Sequence, residues 1–306
     1  MELITNSRLG MWETCPTKAH YHYDLRLRQK GIRWALCIGR AVHAGMEELN
    51  QSRDLHRAVD AALADFAFIE THLDESQGEP EKYKIERQRI AVYVTAAAAH
   101  FQQHPVVAVE AEFTRPLQNP RTGGKSRTFY LAGKADGIVE IEGARWLLEY
   151  KTSGVSSEEF IQHYSGNRQI ALYTEALGVQ GALVRYIGKT RKEPKRRGGE
   201  VVESLEDYGA RLLGDYLEDD TKIQEFLVVP TEEQLNEFRK QVWDAAQVML
   251  FERRAGILRK NYHECANCDF HAVCHNETGW ESQYYVSEYD HDELPGLQRA
   301  DGSNSA

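Results

Sequence analysis

Two periods of apolar residues divide the chain. Between Leu131 and Ser153 the sequence LAGKADGIVEIEGARWLLEYKTS predicts two strands. Ile138, Val139 and Ile141 lead into a Glu142-Gly143 turn, and Trp146, Leu147 and Leu148 lead out of it, as in a buried hairpin. Val106 to Phe113 alternates as a strand should, Gly181 to Gly188 is a further apolar strand, and Val201-Val202 begin a return strand. Elsewhere the spacing is helical. Ile38, Val42, Met46 and Leu49 mark a helix over 34–49, residues 51–104 form a helical insertion, and 158–177 and 231–259 are longer helices. Ser7 is placed to cap a short N-terminal helix that Pro16 ends, and Thr231 to cap the last long one. Strands and helices interleave, which defines an α/β fold. Residues 1–280 read as one domain, and 281–306, acidic and ending in DGSNSA, as a flexible tail.

Polar residues interrupt the hairpin where a core would not choose them. Asp136 lies in its first strand, Glu149 and Lys151 in its second, the latter two on one strand face. Burying two carboxylates and a lysine among Val, Ile and Leu is costly unless they pair or bind a cation. One reading is a cross-strand salt bridge. The other is a divalent-metal site, with Asp136 and Glu149 as oxygen ligands and Lys151 facing a nucleophile or phosphate.

Composition narrows the class. The 306 residues are 42% hydrophobic and 27% charged, ordinary for a globular chain. No run of 18 apolar residues occurs and the N-terminus lacks an apolar signal core, so the expected location is cytoplasmic, without a membrane partner. A formal charge of −10 argues mildly against nucleic acid, but a basic groove suffices to hold it. The densest basic run is Lys189, Arg191, Lys192, Lys195, Arg196 and Arg197, either a solvated hairpin tip or a DNA-backbone contact. Lys82, Lys84, Arg87 and Arg89 in the insertion pose the same alternative.

Five cysteines, an odd number in a chain without an apolar signal core, argue against a disulfide framework. Three of them, Cys265, Cys268 and Cys274, fall within ten residues, a strong metal signal. Zinc would complete its shell with His263, His271 or His275. A 4Fe–4S cluster would take a fourth thiol, and Cys15 is available.

Gly133-Lys-Ala-Asp136 followed by Glu149-Tyr-Lys151 resembles the core of the PD-(D/E)XK nuclease superfamily, with Ala135 in place of the proline. Gly39 and His43, one helical turn apart, and Gln169 and Tyr173, likewise, resemble the signatures of its RecB-like branch. Cys15 with the three C-terminal cysteines resembles the iron–sulfur staple of AddB-type and CRISPR-adaptation nucleases. The resemblance spans about residues 5–278 and implies a restriction-endonuclease-like core, a central mixed sheet flanked by helices, with the cluster closing onto the N-terminus. It further implies Mg²⁺ or Mn²⁺ held by His43, Asp136, Glu149 and the Tyr150 carbonyl, with Gly39 letting its helix approach the sheet. Lys151, Gln169 and Tyr173 would then serve catalysis, and Glu110 or Glu112 a second metal or a water. The implied activity is an exonuclease on single-stranded DNA or DNA ends, in recombination, repair, phage or CRISPR-related processing. A helicase, recombination or CRISPR protein is the implied partner. A DNA-binding subunit serving such a helicase and a zinc-stapled adaptor are the alternatives.

Overall fold

The computed structural model describes residues 1–164, 166–292 and 294. The chain opens with Glu2–Ile4 (β1), Asn6–Thr14 (α1) and Pro16–Ala19 (α2), then Leu27–Gln29 (β2). Trp34–Ser52 (α3), Leu55–Ala67 (α4) and Glu79–His100 (α5) follow. The sheet is then laid down by Val106–Gln118 (β3), Lys125–Ile141 (β4) and Ala144–Ser153 (β5). Ser157–Tyr164 (α6) and Arg168–Leu177 (α7) lead to Ala182–Gly188 (β6) and a small hairpin, Arg196–Arg197 (β7) with Glu200–Val201 (β8). Leu205–Glu218 (α8), Ile223–Val228 (β9), Glu232–Ala255 (α9), His271–Cys274 (α10) and Tyr284–Val286 (β10) complete the described chain.

The predicted hairpin is β4–β5, turned by Glu142 and Gly143, whose φ values of 50° and 77° are those of a tight primed turn. Its partners make the sheet mixed. β3 runs antiparallel along one edge of β4, while β1, parallel, and β5, antiparallel, share the other edge. β1 pairs with 129–131 and β5 with 137–141, so residues 132–136 of β4 lie between two partners on that edge. β6 extends the sheet parallel to β5, and β9 closes it antiparallel to β6. A strand edge left open beside helices is where a polar side chain can project without breaking a ladder.

Helices cover both faces. α3, α4, α5 and α8 bury Met46, Phe66, Ile90 and Leu212 with Trp146, Leu148 and Tyr150 of the sheet. α1, α7 and α9 bury Leu9, Leu172 and Val242 with Phe129, Leu147 and Val184. This is the α/β sheet-and-helix architecture expected, with the insertion forming part of one helical layer.

Several local expectations are corrected. Thr5, not Ser7, caps α1, its hydroxyl accepting the Arg8 N–H at 3.1 Å. The helix expected over 158–177 is two, because Asn167 starts a new one by accepting the Gln169 N–H at 2.8 Å. Arg89 lines no surface path: it is buried, bonding Glu86, Glu193, the Lys192 carbonyl and the Tyr208 hydroxyl. Within 281–306, Tyr284–Val286 pair antiparallel with Leu27–Gln29, so packed structure extends past 281; residues 293 and 295–306 lie outside the described residues. No helix among the described residues is long and apolar enough to cross a membrane.

Candidate active site

A cleft of about 880 Å³ opens beside the free stretch of β4. His43, Asp136, Tyr150, Lys151, Gln169 and Tyr173 all line it, while Glu149 lies behind them. Each comes from a different structural decision. The α3 periodicity buries Val42 and Met46 and leaves His43 facing β4. The β4–β5 register puts Asp136 just beyond the last paired residue, Gly137, opposite Leu148. Strand alternation then directs Glu149 and Lys151 together toward the α7 layer.

The contacts are specific. His43 Nδ1 lies 2.9 Å from Asp136 Oδ1, and the Tyr150 N–H donates to Asp136 Oδ2 at 2.8 Å. The Lys151 ammonium pairs with Glu149 Oε1, to which the Gln169 amide also donates at 2.9 Å. The Tyr173 hydroxyl donates to the Lys134 carbonyl at 3.2 Å. Gln169 and Tyr173 thus hold the carboxylate and the strand that carry the site.

Charge and burial pull in opposite directions here. Burial pushes the Glu149 carboxyl up more than Lys151 lowers it, and the Asp136 charge adds to the rise. Burial would raise Asp136 as well, but His43, Lys151 and the Tyr150 N–H together hold it below the ordinary carboxylate value. The same pairing outweighs burial at His43 and at Lys151, and raises both. Two adjacent carboxyls are thereby pushed apart, the pattern of sites that assign them different roles.

Beside them, Glu110 stands at a β3 position with φ 48° and pairs with Lys134 at 2.5 Å. Burial and then the Glu110 charge raise the Glu47 carboxyl, one turn beyond His43 on α3. Glu110 and Glu47 line the cleft; Glu112 does not. Sequence reasoning missed Glu47 and Lys134, although the i+4 spacing from His43 and the i−2 spacing from Asp136 were both readable.

The Gly39 expectation is corrected. A Cβ there would meet only Thr152 Oγ1, at an ordinary 3.6 Å. The tight contact of α3 is with other helices, at Gly45, where a Cβ would meet Ala62 Cβ of α4 and Val94 Cγ2 of α5 at 2.9 Å. Gly133 is tighter still, its Cβ falling 2.6 Å from Tyr173 Cε1 and 2.8 Å from Phe113 Cζ. Gly133→Ala is therefore expected to cost about 2 kcal/mol by overpacking, with the loss read from urea unfolding curves. A variant as stable as the parent would show that the two rings yield freely.

The basic run is brought only partly to the cleft. Lys189 lines it. Lys192 is paired with Asp215, and Arg196 with Glu81. Arg191 reaches the Gly154 carbonyl at 3.4 Å, the Lys195 N–H donates to Glu203 at 2.9 Å, and Arg197 is exposed on the β7–β8 hairpin.

At the far side, Cys15, Cys265, Cys268 and Cys274 all line one pocket of about 20 Å³, together with Tyr21, Phe270, His271 and His275. Cys37 and His263 are not in it. The Asn261 N–H points at Cys15 Sγ from 3.5 Å. Cys15 and Cys265 stand 250 positions apart in the chain, so the pocket joins its two ends. Among the described residues, no group of three or more His, Cys, Asp or Glu side chains is arranged to hold a metal ion. The prospective ligands are instead engaged by one another and by Lys151 and Gln169.

Asp136 and the Glu149-x-Lys151 pair thus meet beside the open edge of β4 in a mixed sheet. The sequence model of the PD-(D/E)XK nuclease superfamily matches residues 4–275, and the chain belongs to that superfamily. Its members are phosphodiester-cleaving nucleases that typically use Mg²⁺ or Mn²⁺. Among solved structures, a crystal structure of SSO0001 is similar at 14% identity and a TM-score of 0.43, over 90% of this chain and 86% of that one. No curated protein matches the sequence.

Proposed function

We propose that the chain is a Mg²⁺- or Mn²⁺-dependent DNA exonuclease of the RecB-like branch, its ends joined by a 4Fe–4S cluster. The observation that supports it most is the convergence of Asp136, Lys151 and His43 on one cleft, with the buried Glu149 paired to Lys151 behind it and both carboxylates anchored by named donors. Oxygen from Asp136, Glu149 and the Tyr150 carbonyl, with one imidazole, is a hard donor set suited to either ion. When bound, the ion supplies charge that polarises the phosphate and lowers the pKa of water.

The protein's own groups do the positioning. His43 and the Tyr150 N–H fix the Asp136 carboxylate, and Gln169 fixes that of Glu149. Lys151 holds an ammonium at the cleft wall, where it stabilises charge developing on the phosphate. Lys189 is the residue of the basic run placed to meet the strand's backbone.

The four thiols of the small pocket are the ligand set of an iron–sulfur cluster, and His271 or His275 could serve zinc in their place. An iron-to-zinc ratio separates the two.

The test of the activity uses end-labelled single- and double-stranded DNA with Mg²⁺, Mn²⁺ or EDTA, and anaerobically purified protein. Progressive shortening from an end, falling by at least about 10²-fold in EDTA, is the expected result. Cutting indifferent to EDTA, or none with either metal, would overturn the reading.

A further inference from the structure

The C-terminal stretch is held against the nuclease core by several independent contacts. Tyr284–Val286 pair with Leu27–Gln29. The buried Arg28 donates from Nε to Asp292 at 2.6 Å, and from its other nitrogens to the carbonyls of His22 at 2.6 Å, Asp290 at 3.2 Å and Tyr289 at 3.4 Å. Ser287 Oγ also bonds Asp292, at 2.6 Å, which ties the ends of this loop together. The His291 ring, fully buried, packs 4.8 Å from that of Tyr23. Leu294 is fully buried with Leu3 and Ala132, the residue before Gly133 of the cleft wall.

This route brings Asp292 into the lining of the cleft, together with Thr5, Asn6 and Ser7. The segment is acidic, carrying Glu288, Asp290 and Asp292. Half of the Asp292 side chain remains open to solvent despite its bond to Arg28. A fixed carboxylate at a rim opposes a phosphate backbone that must continue past it. A strand that ends inside the cleft makes no such passage.

We propose that Ser287–Asp292 is a specificity element, closing one side of the cleft to a continuous strand so that DNA is accepted from a terminus. The proposal rests on the nuclease reading above and explains on which structural feature its exonuclease character would depend. Arg28 acts as the positioning residue for this wall, since one buried guanidinium holds the Tyr289 and Asp290 carbonyls and the Asp292 carboxylate at once.

The experiment compares a linear single-stranded oligonucleotide with the same sequence closed into a circle. The proteins are the parent, a chain ending at Ser287 and the full-length Asp292→Lys variant. Cleavage with Mn²⁺ is one readout; binding of both DNA forms in a Lys151→Ala background is the other. The parent should prefer the linear form by at least about tenfold in both readouts, and the shortened chain by no more than about twofold. Asp292→Lys should lose several-fold of the preference. A soluble, folded shortened chain that keeps the parent's preference would sink the proposal, as would a parent that binds circles as well as linear strands. Should the shortened chain fail to fold, an unchanged preference in Asp292→Lys is equally fatal. Failure of the parent to cut linear DNA would count against the nuclease reading instead, and the binding ratio would still decide the role of the wall.

Discussion

Lys151→Ala is expected to lower the single-turnover rate of DNA cleavage by about 10²–10³-fold, the loss typical of one charge-stabilising donor. DNA affinity should stay within roughly threefold, since Lys151 is one cation among several near the strand. Glu149 is 2% exposed, and Lys151 with the Gln169 amide are its protein partners in the cleft. Without the ammonium, burial and Asp136 act on that carboxyl with less opposition, and its pKa rises further from an already raised position. The variant thus loses a positive charge and weakens a prospective metal ligand together. Lys151→Arg should not restore the rate, because a planar fork cannot occupy the place of a compact ammonium. Cleavage by Lys151→Ala at the parental rate would show that the site lies elsewhere.

Cys268→Ala is expected to cost stability more than chemistry. If four thiols hold one cluster, its loss frees a crosslink between segments 250 positions apart. Chain-entropy reasoning for a long closed loop gives about 5.5 kcal/mol, which lowers Tm by on the order of 10 °C in a protein of this size. The brown colour should disappear and activity fall with the folded fraction. A colourless variant that melts and cuts like the parent would remove the cluster from the account. Cys37→Ala, outside the pocket, is the control and should change neither.

Much of the core was legible because its signals are local. The Glu142-Gly143 turn and the alternation on either side of it fix a hairpin whatever surrounds it. Asp136, Glu149 and Lys151 stood out because buried charge is costly, and the structure brings them together with His43 from 93 positions away. What was not legible depends on distant partners. β1, β2 and β10 are three residues each, too short to show a period, and exist because Phe129–Leu131 and one another pair with them. β9 and α8 were also missed, although Ser204, which accepts the Asp207 N–H at 3.0 Å, is a readable cap. The basic run shows a further limit: clustering in sequence says nothing of which side chains find acids, and Asp215 and Glu81 claim two of them. Gly39 was credited with a close approach to the sheet, where a Cβ would find only an ordinary contact with Thr152, while the tight spot of α3 is Gly45 against two helices.

The pairing of β2 with β10 also sets a schedule. A ribosome releases the chain from its N-terminus at about 5–20 residues per second, so Cys274 follows Lys151 by roughly 6–25 s. At the start of that interval all the charged residues of the cleft but Lys189 and Asp292 have been made, while β6, β9 and α9, which complete the sheet and its second layer, are still to be synthesised. Leu27–Gln29 wait longest, for a partner strand some 250 residues later. Such long-range closure slows folding, and it places the completion of the cleft after the last strand has left the ribosome. A nascent chain therefore carries the residues of the cleft before the sheet that assembles them is complete.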